Sequence, residues 1–559
     1  MRIAAILFFV SVMATEVLGQ STQPGPLRVV AAGMMGSAGA DRFEDVAIAK
    51  DGGIYVAGNF AGAVELKTNV LGEEGGGYGV GAVLKFDKDG QQVVAGATFA
   101  KGLAKVTSVA VNERGVYVAG YATGGAEKLF GALGGLHGKV VTPPPTGKLY
   151  VAKEHSDEPK FKPEHDVRGA PFVARLSHDL TRLEAATFLE GYQSIWYVPE
   201  NIREDVYQPT GLALLSNGDV IVTHDGGYNR AFKAGEKPTI EDYYFVPDHI
   251  SRLSADLKRR AWREELYTPK VNMEHAGRGI KGEWKHETMG NPRIFRVRVD
   301  AKDQVLVSGW SASRTVAEPW WSPFLRKYDS DGKLVWTAYE HDPTSGRDQR
   351  MNGQVSDAYV RSVAVDEKNR LLVSLTGDGG NNVLRQDPRD YTREAENLRG
   401  GVSGFKGRIL FWGAVARLDT ESRELLAGNH FNAIGAITWG FGKGRTGTIP
   451  MWAEDLSDAG VGRVVAVGRQ YGGFKLPEHA LWTGPGAFVR VFDERFSEVY
   501  TTAVPDATLT TVARSGNRFV AVGETLGEKA MSERAPWAKR AGQKDAFLLL
   551  FDLAKSSQE

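Results

Sequence analysis

A short unit recurs along this chain, and it restricts the possible fold more than any other feature. Two apolar, β-branched runs flank a polar turn of about four residues, the pattern of an antiparallel hairpin. The copies read VAIAKDGGIYVAG from Val46, VAVNERGVYVAG from Val109, LALLSNGDVIVTH from Leu212, VRVDAKDQVLVSG from Val297, VAVDEKNRLLVSL from Val363 and TVARSGNRFVAVG from Thr511. Asp51-Gly52 and Asn217-Gly218 supply the residue types that tight hairpin turns favour.

A second unit follows the first after a variable gap. It reads AVLKFDKDGQQVVAGATF from Ala82, FVARLSHDLTRLEAATFL from Phe172, HISRLSADLKRRAWREEL from His249, FLRKYDSDGKLVWTAYE from Phe324, AVARLDTESRELLAGNHF from Ala414 and FVRVFDERFSEVYTTAVP from Phe488. Most copies carry a basic residue just before an aromatic or Leu: Lys85, Arg175, Arg252, Lys327 and Arg417. Together the two units make a four-stranded antiparallel meander, with strands a, b, c and d. In the sixth copy, strand a is expected at Gly435 to Trp439 and strand b at Val461 to Gly468, with a long a–b connection from Gly440 to Gly460. The count is then seven units.

The chain ends bear on closure. The last unit stops after strand c, FLLLFD from Phe547, and RVVAAGMMG from Arg28 reads like the strand d segment QVVAGATFA from Gln92. An N-terminal strand completing the C-terminal unit closes a ring and removes its open edges. The expected fold is all-β: a seven-bladed β-propeller of four-stranded antiparallel blades, closed by an N-terminal strand.

The repeats resemble the SBBP (seven-bladed β-propeller) repeat family of exported bacterial proteins. Val363–Leu375 and Phe324–Gly332 fit its pattern well, and blades three and six fit loosely. The resemblance implies the fold and export. It implies no single activity, so function rests on local sites.

Composition narrows the chemistry. The 559 residues contain no Cys, which excludes disulfides, Cys-ligated zinc, Fe–S clusters and a cysteine nucleophile. Lys+Arg and Asp+Glu are equal at 68 each, which argues against a polyanion-binding surface over the whole protein but leaves room for a local patch, and no nucleic-acid partner is expected. Arg2 followed by the apolar run Ile3 to Ala14, too short to span a bilayer, reads as a signal peptide over 1–19, with cleavage before Gln20. The expected organisation is a short lead over 20–26, a single propeller over 27–554 and a tail over 555–559. The mature chain is expected to have no transmembrane segment and to be periplasmic or extracellular.

In such a ring the a–b and c–d turns share one face, and these are short. The b–c and d–a loops share the other face and are long, so the long-loop face with its channel mouth is the expected working surface. His224-Asp225-Gly226-Gly227-Tyr228-Asn229 and Gly377-Asp378-Gly379-Gly380-Asn381-Asn382 leave strand b of blades three and five. Short carboxylates and amides around glycines hold a hard cation or sugar hydroxyls, or simply form turns, and the turn is the stronger reading. The expected ligand site combines His224, Asp225 and Asn229 with Trp310, His341, Asp342, Asp378, Asn381 and Asn382. His275, His341 and His430 show no metal-ligand spacing, so neither a metal nor a cofactor is expected; Tyr207 and Tyr359 lie near the starts of inner strands. Trp196-Tyr197, Tyr243-Tyr244 and Trp320-Trp321 offer aromatic faces either to sugars or to loop packing.

Neither a G-x-S-x-G elbow nor a P-loop is present, and the G-x-G-x-x-G contained in Gly440 to Gly447 has no helix pattern behind it. The resulting expectation is a propeller that binds a glycan or another exported protein. The alternative is a carbohydrate-active enzyme, such as a polysaccharide lyase, working at the channel mouth with a His or Tyr base.

Overall fold

The computed structural model describes residues 27–62, 68–75, 79–141, 169–190, 210–224, 248–266, 292–311, 322–340, 358–378, 386–399, 411–431, 433–436, 446–449, 451–470, 476, 480–530, 535–538, 541–542 and 544–554. Seven antiparallel meanders follow one another around a ring. Strands a to d of blade one are Arg42–Ile48, Ile54–Phe60, Val80–Phe86 and Val93–Phe99. The inner strands of blades two to seven are Ala104–Asn112, Thr210–Leu214, Pro292–Val299, Ala358–Val365, Met451–Asp458 and Ala507–Ser515. Period-2 alternation gives each blade two apolar faces, and neighbouring blades bury them against one another.

Closure follows the expectation. Leu27–Met35 pairs antiparallel with Asp545–Leu553, from Leu27 opposite Leu553 to Met35 opposite Ala546. The chain's first described strand is thus strand d of blade seven, and Phe547, Leu549 and Phe551 are fully buried beneath it.

Blade six departs from the expectation. Its strand a is Met451–Asp458, joined to strand b, Val464–Gln470, by a tight turn in which the Ala459 amide donates to the Arg463 carbonyl at 2.8 Å. Ala433–Ala436 instead pairs with Thr446–Ile449 in a separate two-stranded ribbon. The ribbon therefore belongs to the d–a connection, on the long-loop side. Strand a escaped recognition because Glu454 and Asp455 interrupt its apolar pattern, and both carboxylates find cationic partners in the folded ring.

Two b–c insertions also serve the sheet. Asn69–Leu71 lies parallel to strand d of blade one, and Leu398–Arg399 lies parallel to strand d of blade five, Leu425–Phe431. Each covers part of an outer edge that would otherwise expose unpaired backbone groups.

The repeated glycine at the end of strand b has a steric cause. In six blades strand a carries a register shift: between Phe43 and Asp45, Val106 and Ser108, Ile294 and Arg296, Val360 and Ser362, Ala453 and Asp455, and Leu509 and Thr511. A bulge of this kind pushes the strand a backbone toward its neighbour. A Cβ on Gly468 would lie 1.9 Å from the Trp452 carbonyl oxygen, and one on Gly523 would lie 1.8 Å from that of Thr508. Only glycine fits there.

In blades two to five the basic residue of strand c ties the blade to the c–d turn of the next. Arg175 donates to the Ala255 carbonyl at 3.0 Å, Arg252 to Ser330 at 2.8 Å, Lys327 to Thr420 at 3.1 Å and Arg417 to Glu494 at 2.6 Å. Around the seam, Arg518 of blade seven donates to the Lys88 carbonyl of blade one at 2.9 Å. At Arg175, Arg252, Lys327 and Arg417 the basic position marked in the sequence is thus a link between blades, whereas Lys85 lies over the Tyr55 ring of its own blade at 5.1 Å.

Candidate functional site

The bulges aim polar side chains into the central channel. At that level Arg296 of blade four reaches across to the far side of the ring. Its guanidinium donates to the Thr510 carbonyl and, at 3.0 Å, to Thr511 Oγ1 of blade seven. Its Nε lies 3.6 Å from Asp455 Oδ1 of blade six, and Arg298 Nη2 lies 3.5 Å from Asp455 Oδ2. Asp455 is fully buried and is also held by the Ser362 hydroxyl at 2.5 Å and the Val512 amide at 3.0 Å. Asp45 of blade one accepts from the Val109 amide of blade two at 3.0 Å. Burial pushes its carboxyl up from the usual range, against the pull of Arg296 and Arg298. A belt of alternating charge therefore bridges the channel at mid-height.

Above the belt, on the long-loop side, the inner strands of blades four to six converge. Arg361 of blade five lies over the Trp452 ring at 4.6 Å and over Phe295 and Tyr359 at 5.5 Å each. Its Nη1 pairs with both Glu454 oxygens, at 3.1 and 3.3 Å, and Arg469 Nε donates to the same carboxylate at 2.9 Å. Phe295 and Tyr359 meet at 6.0 Å, and Trp310 stands edge-on to Tyr359 at 6.2 Å. Across the mouth, Arg42 and Lys105 approach Glu44 at 3.3 and 3.9 Å. Among the described residues, four cations thus surround two carboxylates at this level. Arg361, Trp452, Tyr359 and Phe295 are all buried, so a flat, weakly hydrated cation stacked on aromatic rings forms this part of the wall of the mouth.

Of the expected site residues, His224, Trp310 and Asp378 are described, each at the end of strand b of its blade. Trp310 belongs to this cluster and is fully buried. His224 ends strand b of blade three, opposite His249 of strand c, with ring centroids 5.1 Å apart in an edge-to-face contact. Asp378 ends strand b of blade five, with its backbone opposite Phe411. Asp225, Asn229, His341, Asp342, Asn381 and Asn382 lie outside the described residues, as do His275, Tyr207 and the paired aromatics at 196–197, 243–244 and 320–321. His430 is buried in strand d of blade five, its Nδ1 3.3 Å from the Arg399 carbonyl.

His249 was missed in the sequence because it looks like an ordinary start of strand c. Burial, with His224, Arg263 and Arg260 nearby, pushes its imidazole down to about 2. It is neutral at any working pH and a weak base. Arg361, Glu454 and Arg469 were also missed, since nothing in sequence spacing marks residues that only ring closure brings together. Among the described residues, no cluster of three His, Asp or Glu suits a metal ion, and no helix is long and apolar enough to cross a membrane.

No family model matches the chain, and no curated protein matches it in sequence. Among solved structures it is similar to a protein of unknown function from Dyadobacter fermentans, at 12% identity and a TM-score of 0.38, covering 95% of this chain and 100% of that one. It is also similar to the polysaccharide lyase Uly1, at 10% identity and a TM-score of 0.40, covering 92% and 90%. A third is the quinohemoprotein alcohol dehydrogenase of Comamonas testosteroni, at 12% identity and a TM-score of 0.36, covering 94% and 76%. Likenesses this distant say nothing about activity.

Proposed function

We propose that this is an exported propeller of the SBBP-repeat kind that binds an acidic glycan at the long-loop end of its channel, beside blades four to six. The observation that carries the reading is Arg361, held flat among Trp452, Tyr359 and Phe295 with Glu454 as counter-ion. Aromatic faces suit the CH-rich faces of sugar rings, and guanidinium groups suit carboxylates. Among the described residues, the excess of cations over carboxylates at the mouth favours an anionic ligand. His249, pushed down to about 2, is a poor proton acceptor and does not supply a lyase base. The amino-terminal apolar run over 1–19 supports export.

A glycan array followed by calorimetry tests this reading. Saturable binding of uronate-containing oligosaccharides, without new ultraviolet absorbance from unsaturated products, is the expected result. Trp452→Leu is expected to weaken binding at least about tenfold, and Trp452→Phe to retain most of it. Binding of neutral glycans alone, or of none, would overturn the reading, and product absorbance would favour the lyase.

A further inference from the structure

A second basic site lies far from the channel, at the outer rim between blades five and six. A cavity of about 460 Å³ opens there on the short-turn side. Four arginines line it: Arg370 from the a–b turn of blade five, Arg417 from its strand c, Arg399 from the inserted edge strand and Arg495 from the c–d turn of blade six. Glu396 and Glu494 are the carboxylates in the wall, and Leu426 and Ala427 form its apolar part.

The cations exceed what the carboxylates satisfy. Asp366 pairs with both Arg370 and Arg417, at 2.8 and 3.2 Å. Glu494 is shared between Arg370 and Lys368, at 3.3 and 3.2 Å. Arg399 and Arg495 form no ion pair among the described residues, and both are exposed. The Nη2 of Arg370 is buried without a hydrogen bond, whereas the Nε of Arg417, 1% exposed, faces Asp366 Oδ2 at 3.2 Å. Burial, and then the neighbouring charge of Arg370, push the Arg417 guanidinium down. A buried guanidinium N–H without an acceptor costs free energy that an incoming anion recovers.

We propose that this cavity binds a small molecule carrying a tetrahedral oxyanion, phosphate or sulfate, on a body of about the size of one sugar. The charge imbalance calls for an anion. The planar guanidinium donors fit phosphate and sulfate oxygens, and the volume exceeds that of the free ion, so the apolar wall at Leu426 and Ala427 is left for the attached body. The site is independent of the channel reading, since it shares none of those residues.

Calorimetry on the full chain tests it, with inorganic phosphate, inorganic sulfate, glucose 6-phosphate and glucose 6-sulfate as probes, and glucose as the control. The expected result is saturable binding of at least one sugar ester, weaker binding of the free ions and none of glucose. The Arg399→Gln/Arg495→Gln variant is expected to lose at least about tenfold in affinity with an unchanged melting temperature, since neither side chain has an ion-pair partner among the described residues. Phosphate against sulfate esters then distinguishes the two sources of the oxyanion. Absence of binding by every probe, or undiminished binding by the double variant, overturns the proposal.

Discussion

Arg252 in strand c of blade three donates its Nη1 hydrogen to the Ser330 carbonyl in the c–d turn of blade four, 2.8 Å away, while its Nε and Nη2 clasp Asp219 at 2.9 and 2.8 Å. One side chain thus joins two blades and neutralises a carboxylate of its own blade. Arg252→Met is expected to destabilise the protein by about 2 kcal/mol, because it leaves a charged acceptor and a carbonyl unsatisfied. Urea unfolding checks this, and an unchanged midpoint would show that the link between blades contributes nothing.

The seam of the ring gives a second prediction. A chain beginning at Asp41 lacks the strand Leu27–Met35 and leaves Asp545–Leu553 as a long apolar edge. Its melting temperature is expected to fall by well over about 10 °C, with aggregation at micromolar concentration, whereas a chain beginning at Gln20 keeps the full value. Equal melting of the two chains would refute closure by this strand.

The channel belt gives a third. Arg296→Met leaves the buried Asp455 with Arg298 as its remaining cationic neighbour at 3.5 Å, and a loss of about 3 kcal/mol is expected. Arg296→Lys is expected to recover part of it, because an ammonium keeps the charge but has one nitrogen where the guanidinium uses two, toward Asp455 and toward Thr511. If Arg296→Met unfolds at the wild-type denaturant concentration, the belt is decorative.

Asp45 provides a pH test with a definite sign. Its carboxyl is raised in the folded ring, so the folded state holds that proton more tightly than the unfolded chain. Its contribution then becomes less favourable as pH rises from the ordinary carboxylate range through the raised folded value. Stability of Asp45→Asn relative to the wild type is therefore expected to improve from pH 4 to pH 7. A difference that stays flat, or runs the other way, would show that Arg296 and Arg298 outweigh the burial.

His249 has the opposite sign. With its imidazole at about 2 in the folded state and near its ordinary value of 6.5 when unfolded, the unfolded chain takes up the proton first. Stability from this group is complete above about pH 6.5 and is lost as pH falls, by about 1.4 kcal/mol per unit. His249→Phe, which preserves an aromatic contact with His224, is expected to remove about 2 kcal/mol of acid sensitivity between pH 7 and pH 5. Parallel unfolding curves for the two proteins across that range would contradict the burial of His249.

The sequence by itself determined the seven four-stranded units, the tight turns on one face and the N-terminal strand that closes the ring. Those features are local: alternation at period 2, turn residues such as Asp51-Gly52, and an unpaired strand at each end of the chain. Blade six was misplaced because Met451–Asp458 faces a polar channel, so its alternation carries Glu454 and Asp455 where an apolar residue was sought. Trp310 and His224 were legible as ends of strand b, since the repeat fixes that position. Their partners Tyr359 and His249 were settled only by packing. Arg296 meeting Thr511, and Arg361 meeting Trp452 and Glu454, belong to the tertiary structure alone. Residues distant in sequence face each other only after the ring has closed, and no local pattern encodes which bulged side chain will find which partner across the channel.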